Sequence, residues 1–129
     1  LELEPVIRRV AQDCAPVNRN ALANPKVHIW NGDAREAMLT SRRQYDVIAS
    51  EPSNPYRAGV ASLFTKEFYE AAARHLRPDG FFIQWVQAYE IDGESVSTIY
   101  ATLASVFPYI ETWCMQSGDL SFIASREPD

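Results

Sequence analysis

Little in this chain points to a metal, a membrane or a polyanion. It has two cysteines, Cys14 and Cys114, far apart in sequence. Neither falls in a Cys-x-x-Cys or Cys/His cluster, which argues against a zinc site and for free buried thiols in a reducing compartment, so a cytoplasmic location is expected. No basic run appears, and the net charge of −5 argues against non-specific nucleic-acid binding. No apolar run reaches the roughly 18 residues of a membrane-spanning helix, and there is no signal-peptide pattern. There is no internal repeat, low-complexity segment or interdomain linker, so the 129 residues read as a single domain, 1–129. There is also no Met at the start. The chain opens on Leu1-Glu-Leu-Glu4-Pro5, which reads as the end of a strand and makes the expected domain a partial one. What is present is a 47% apolar share, enough for a real core.

The stretch Tyr45-Asp-Val-Ile-Ala-Ser-Glu51-Pro-Ser-Asn54-Pro-Tyr56 organises the rest. Val47, Ile48 and Ala49 form an apolar run without helical period, as in a parallel strand buried on both faces. Pro52 and Pro55 bias the residues before them away from helix and cannot donate to a ladder, so the strand stops near Ser50 or Glu51. A polar cluster at the carboxyl end of a buried strand is where open α/β sheets bind ligands. A loop with a solvated Glu is the bland alternative.

Before this stretch, Pro5 opens a helix at a first-turn position, and Val6, Ile7, Val10 and Cys14 give it an apolar stripe. Residues 16–25 are a polar connection. Val27, Ile29 and Trp30 predict a strand ending at Asn31-Gly-Asp33, and 34–39 a short helix. After it, Thr65 is an N-cap for a helix over 66–76, with Phe64 and Tyr69 at the two positions of a hydrophobic staple. Pro78-Asp-Gly80 stops that helix before a strand over 81–86. Asp92 caps a helix carrying Val96, Ile99, Tyr100, Leu103 and Phe107. Strands over 109–115 and 120–125 flank a turn at Ser117-Gly-Asp119. Alternating units of this kind predict a mostly parallel sheet covered by helices, closed by an antiparallel hairpin strand.

Several positions carry chemistry. Glu2, near a strand end, offers two acceptor oxygens to a ribose diol, or is a solvated edge residue; Glu4 competes for the role. Asp33 accepts from an exocyclic amine while a backbone N–H at the helix start donates to a ring nitrogen, or it caps the helix. Glu51 holds or deprotonates a substrate amine, and Asn54 both donates and accepts. Gln84, polar within Phe82-Ile-Gln-Trp-Val, lies at the strand's ligand end, with Trp85, Gln87 and Tyr89 following, or is satisfied internally. His28 and His75 are lone and read as structural.

Together these residues resemble the spermidine synthase-like branch of the class I S-adenosylmethionine-dependent methyltransferase superfamily. The matching stretches are Glu2-Leu-Glu-Pro5, Gly32-Asp-Ala34, Tyr45-Asp-Val-Ile48 followed by Glu51-Pro-Ser-Asn-Pro55, Leu63-Phe-Thr-x-Glu-Phe-Tyr69, and Gln84-Trp85. The resemblance implies a Rossmann-like α/β fold truncated at its amino end, since the first strand and its Gly-rich loop would precede Leu1. It implies that Glu2 binds the nucleoside ribose, and that Asp33 and Ala34 bind the adenine of S-adenosylmethionine or its decarboxylated form. Glu51 then matches the base that deprotonates the attacking amine, and Asn54 stands where the synthases' Asp-Ser-Ser-Asp-Pro motif has its second Asp. Gln84, Tyr56 and Tyr89 line the amine cleft.

The function implied is transfer of an aminopropyl, or methyl, group to a small-molecule amine, without a metal or nucleic acid. The fragment itself is expected to be inactive. An N-methyltransferase using Asn54-Pro-Tyr56, or a non-catalytic nucleotide-binding domain, are the alternatives. The Glu-Pro-Ser-Asn-Pro version also resembles relatives joined to membrane-spanning segments elsewhere in the parent chain. Lacking its first strand, the domain is expected either to close the gap by pairing 1–4 with 45–51 or to exchange elements in a homodimer.

Overall fold

A computed structural model describes residues 1–115 and 118–128. They fall into two compact units, Leu1–Thr40 and Ser41–Asp129.

In the first unit, helix α1 (Pro5–Asp13) begins on the expected proline, and a polar connection follows with a short 3₁₀ turn at Ala21–Ala23. Helix α2 (Ala34–Thr40) starts on Asp33, whose carboxylate accepts from the N–H of Arg35 at 2.7 Å. The strands expected at 1–4 and 27–31 shrink to one parallel bridge between Glu2 and Asn31. Glu2 N–H donates to Trp30 O, Gly32 N–H donates to Glu2 O, and no longer ladder forms. Within this unit Leu1–Glu4 pairs through that one bridge to Asn31.

The second unit holds a four-stranded sheet. Its strands are β1 (Tyr45–Ser50), β2 (Leu76–Gln87), β3 (Tyr109–Cys114) and β4 (Asp119–Ser125), in the order β1-β2-β4-β3. β1 and β2 are parallel, and β4 is antiparallel to both β2 and β3. Three strands thus share one direction and β4 alone runs against them, inserted as the hairpin return of β3. Ser117 of the expected turn lies outside the described residues.

Helix α3 (Lys66–His75) starts at Thr65, whose hydroxyl accepts from Phe68 N–H at 3.3 Å. Both staple residues, Phe64 and Tyr69, are buried. Helix α4 (Gly93–Ala104) starts at Asp92, whose carboxylate accepts from Ser95 N–H at 2.7 Å. His75 is structural as expected: its two ring nitrogens lie 2.8 Å from Ala71 O and 3.0 Å from Ser41 O.

Three expectations need correction. β2 begins at Leu76, not at 81, because 76–80 stays beside β1 through a register shift between Tyr45 and Val47. Pro78, lacking a donor, is tolerated in that irregular segment. Gly80 permits it by close approach: a Cβ there would lie 2.8 Å from Asp46 O and 3.0 Å from Tyr45 O. β1 is also not buried on both faces. Ile48 and Ser50 point into the core while Val47 and Ala49 are exposed, and β2 alternates in the same way, with Phe82, Gln84 and Val86 inside. Such alternation marks a sheet with one covered face. Finally, Cys14 and Cys114 are free but exposed, not buried.

The core sits on that inner face. The Phe82 ring packs against Phe68, Tyr69 and Phe107 at centroid separations of 6.3, 5.6 and 5.7 Å. Tyr100 meets Phe122 edge-on at 5.5 Å. Among the described residues no helix is long and apolar enough to cross a membrane.

Candidate functional site

The carboxyl end of β1 gathers most of the predicted chemistry of the second unit. The strand stops at Ser50, and the two prolines turn the chain so that Asn54 comes back inside, 3% exposed. A tight turn follows, with Arg57 N–H donating to Asn54 O at 3.1 Å. The Asn54 amide nitrogen donates to the Tyr56 hydroxyl at 2.5 Å and to Glu90 Oε2 at 2.6 Å. The Tyr56 hydroxyl in turn donates to Glu90 Oε2 at 3.4 Å. Asn54 Oδ1 is buried without a hydrogen-bond partner among the described residues.

Glu51, one residue past the strand, is exposed and makes no side-chain bond among the described residues. Gln84 is paired in register with Ser50, which puts it level with the end of β1. It is fully buried. Its amide nitrogen donates to Ser50 O at 3.3 Å and Trp85 O at 3.0 Å, while Oε1 is left unpartnered. The nitrogen end of the amide is thus satisfied internally, and its oxygen is buried without a partner among the described residues. Tyr89 is exposed and lies against Gly118, apart from the Asn54 cluster in its bonding.

Glu90 was not singled out in the sequence. It closes the short 3₁₀ turn Ala88–Glu90 that follows β2, so it too lies just past a strand's carboxyl end. The usable signal was chemical: a buried neutral Asn in a polar cluster needs a fixed acceptor for its amide hydrogens, and Glu90 is the carboxylate in the Gln87-Ala-Tyr-Glu90 run.

Beside this cluster an open groove of about 450 Å³ runs between Pro55–Phe64 and α4. Its floor is apolar, with Pro55, Phe64 and Ile99, and Asp92 and Glu94 stand along it. The hydrogen bonds of the Ser95 backbone and side chain hold the Asp92 carboxyl below its ordinary range.

In the first unit the parallel bridge aligns Glu2 with Asn31, two residues ahead of Asp33. One Glu2 oxygen accepts from Glu4 N–H at 2.9 Å, and one Asp33 oxygen accepts from Arg35 N–H. Asp33 is therefore the helix cap, with its second oxygen still free for another partner. Ala34 is half-buried in the first turn, where backbone N–H groups lack helical acceptors. Among the described residues no three His, Cys, Asp or Glu side chains converge as metal ligands.

The chain is similar to known proteins both in sequence and in structure. Polyamine aminopropyltransferase 1 of Streptomyces coelicolor is 34% identical over 83 residues, covering 62% of this chain and 16% of that protein. Polyamine aminopropyltransferase 2 of Hyperthermus butylicus is 27% identical over 129 residues, covering 96% of this chain and 42% of that protein. The chain thus spans less than half the length of these relatives. In structure, a spermidine synthase in complex with the transition-state analogue AdoDATO superposes with a TM-score of 0.85 at 23% identity, over 99% of this chain and 46% of that one. Human methyltransferase-like protein 13, in complex with SAH, superposes with a TM-score of 0.78 at 17% identity, over 99% and 60%. At these identities the structural likeness establishes the fold, a Rossmann-like class I methyltransferase fold. The spermine/spermidine synthase domain family matches residues 5–116, and this chain belongs to that family.

Proposed function

We propose that this domain takes decarboxylated S-adenosylmethionine as donor and transfers its aminopropyl group to the nitrogen of a small amine. The observation that carries the reading is the Asn54–Tyr56–Glu90 cluster beside Glu51 at the carboxyl end of β1, in a member of a family whose curated relatives are polyamine aminopropyltransferases.

The residues present fit the donor. Glu2 and Asp33 each keep one carboxylate oxygen unbonded, Glu2 for the ribose hydroxyls and Asp33 for the adenine amine. Ala34 N–H would donate to the ring. In the transfer itself, the amine nitrogen attacks the carbon next to the sulfonium. The new N–C bond forms as the C–S bond breaks, its electron pair stays on sulfur as a thioether, and Glu51 takes the proton lost by nitrogen. Gln84 Oε1 and Asn54 Oδ1 supply acceptors that orient the amine. Tyr56 walls the cleft, and Tyr89 lies further along it.

Calorimetric titration of the intact protein with S-adenosylmethionine and its decarboxylated form, followed by mass analysis of 1,4-diaminobutane after incubation, tests the reading. Preference for the decarboxylated donor and an aminopropyl adduct support it. In Glu51→Gln the transfer rate should fall about 10²–10⁴-fold with donor affinity unchanged. Binding of neither donor overturns it, leaving Glu2 and Asp33 as edge acid and helix cap. N-methyl transfer is the second reading. The buried, unpartnered oxygen of Asn54 in Asn54-Pro-Tyr56 favours it, as an acceptor for a target amine. A methyl adduct formed from S-adenosylmethionine would select it.

A further inference from the structure

We infer that Glu90 decides which amines this domain accepts: its carboxylate supplies the negative charge of the acceptor site, and its bond to the Asn54 amide aims the Asn54 carbonyl oxygen at an amine N–H. The inference rests on the amine-transfer reading above.

The hydrogen bonds fix the geometry. The Asn54 amide nitrogen serves two acceptors, Tyr56 Oη at 2.5 Å and Glu90 Oε2 at 2.6 Å. The opposite amide orientation would bring two bare acceptor oxygens together at that distance, so Glu90 selects one orientation. With both amide hydrogens committed, Oδ1 is left as an acceptor without a partner. It is buried, in a residue 3% exposed, and no donor among the described residues reaches it. Buried acceptors are almost always paired, and an orphan needs a reason.

Its complement is a group with several donors, a positive charge and no acceptor, which describes an alkylammonium ion. Asn54 is neutral, so the charge must come from elsewhere. Glu90 provides it from an exposed position that a ligand can reach. The exposed ring of Tyr56 adds a face suited to a cation.

The neighbouring groove extends the preference. Pro55, Phe64, Ile91 and Ile99 suit a methylene chain, and Glu94, whose carboxylate makes no bond among the described residues, suits a second ammonium beyond it. A linear diamine therefore fits better than a monoamine of the same length.

The test uses the intact protein, with 1,4-diaminobutane and 1-aminobutane as probes and donor binding measured in parallel. Wild type should bind the diamine more tightly than the monoamine. Glu90→Gln keeps an acceptor for the Asn54 amide but removes the charge; diamine affinity should fall about tenfold, and its salt dependence should flatten. Donor affinity should stay unchanged. The exchanged pair Asn54→Asp with Glu90→Gln puts the carboxylate and amide back in contact with their places reversed, and should restore diamine binding to within about threefold of wild type. A purely scaffolding role for Glu90 would already be met by the amide oxygen of Glu90→Gln, so that variant alone would then leave diamine affinity unchanged. Diamine affinity unchanged in Glu90→Gln overturns the inference, and so does a folded, donor-binding double variant as weak as the single one. If wild type binds a donor but no amine, the amine-transfer reading itself fails. If wild type modifies amines and ignores Glu90→Gln, only the role of Glu90 fails.

Discussion

Both compact units carry amphipathic helices and use them differently. In Leu1–Thr40 the stripe Val6, Ile7 and Val10 is about half exposed, α1 buries nothing, and Met38 is the one buried apolar residue among those described. From Ser41 onward the stripes of α3 and α4 disappear into the core, with Tyr69, Ala72 and Leu103 fully covered. The difference lies in the surface on offer. The second unit presents a sheet face of Phe82, Val86, Phe122 and Ala124 to its helices, whereas the first has a single bridge between Glu2 and Asn31. Helical periodicity in a sequence specifies the helix and its apolar side; it does not specify what receives that side. The largest test of this contrast is a matched pair of truncations. Phe82→Ala, at the centre of the ring cluster, should cost about 3–5 kcal/mol. Ile7→Ala on α1 should stay within about 0.5 kcal/mol. Urea unfolding of the intact protein measures both, and a comparable loss from Ile7→Ala would break the contrast by showing that the α1 stripe is covered in solution.

The contrast extends to the backbone. A Cβ on Gly32 of the first unit would meet nothing within 4 Å, but β1 and β2 approach so closely at their start that Gly80 has room for no Cβ. The atoms it would strike, Asp46 O and Tyr45 O, are main-chain and cannot rotate away. Gly80→Ala should therefore cost about 1–3 kcal/mol. The same step at Gly93, where an added Cβ meets nothing within 4 Å, should be close to neutral. Equal effects at the two sites would mean that the strands part at their base without loss, and that the second unit is less tightly held than its core suggests.

Much of this was legible from residue pattern. Thr65 and Asp92 announced their helices because a cap acts locally, through one hydroxyl or carboxylate and a nearby N–H. The strand over 81–86 with a polar Gln84 in its run, and the break at Pro52 and Pro55, were equally local. The misses were long-range. Whether Val47 faces water depends on what covers the sheet, and whether 27–31 forms a strand depends on a partner. Glu90 was hidden for the same reason: 36 residues separate it from Asn54, and only the shared carboxyl end of two parallel strands brings them together. Glu51, Asn54 and Gln84 drew attention because a polar residue at the end of an apolar run stands out in the run itself.

The smallest effect probes a polar atom buried in the core of the second unit. Tyr69 is wholly covered, and its hydroxyl has no partner among the described residues. Burial disfavours the phenolate and pushes the phenol pKa up. The sign of the consequence follows by linkage. The folded state holds this proton more tightly than the unfolded chain, whose tyrosine titrates near pH 10, so Tyr69 contributes no loss below that value. Above it the unfolded state gains from ionising, and stability falls as pH rises. Replacing the ring with Phe keeps the packing against Phe82 and removes a hydroxyl that was stripped of water without compensation. Tyr69→Phe should thus be neutral or stabilising by up to about 1 kcal/mol at neutral pH, and its advantage over wild type should widen above pH ~10. Urea midpoints of both proteins on either side of that pH measure it. A clear destabilisation at neutral pH would mean that the hydroxyl is hydrogen-bonded to buried water, and that the core of the second unit is held by polar as well as aromatic contacts.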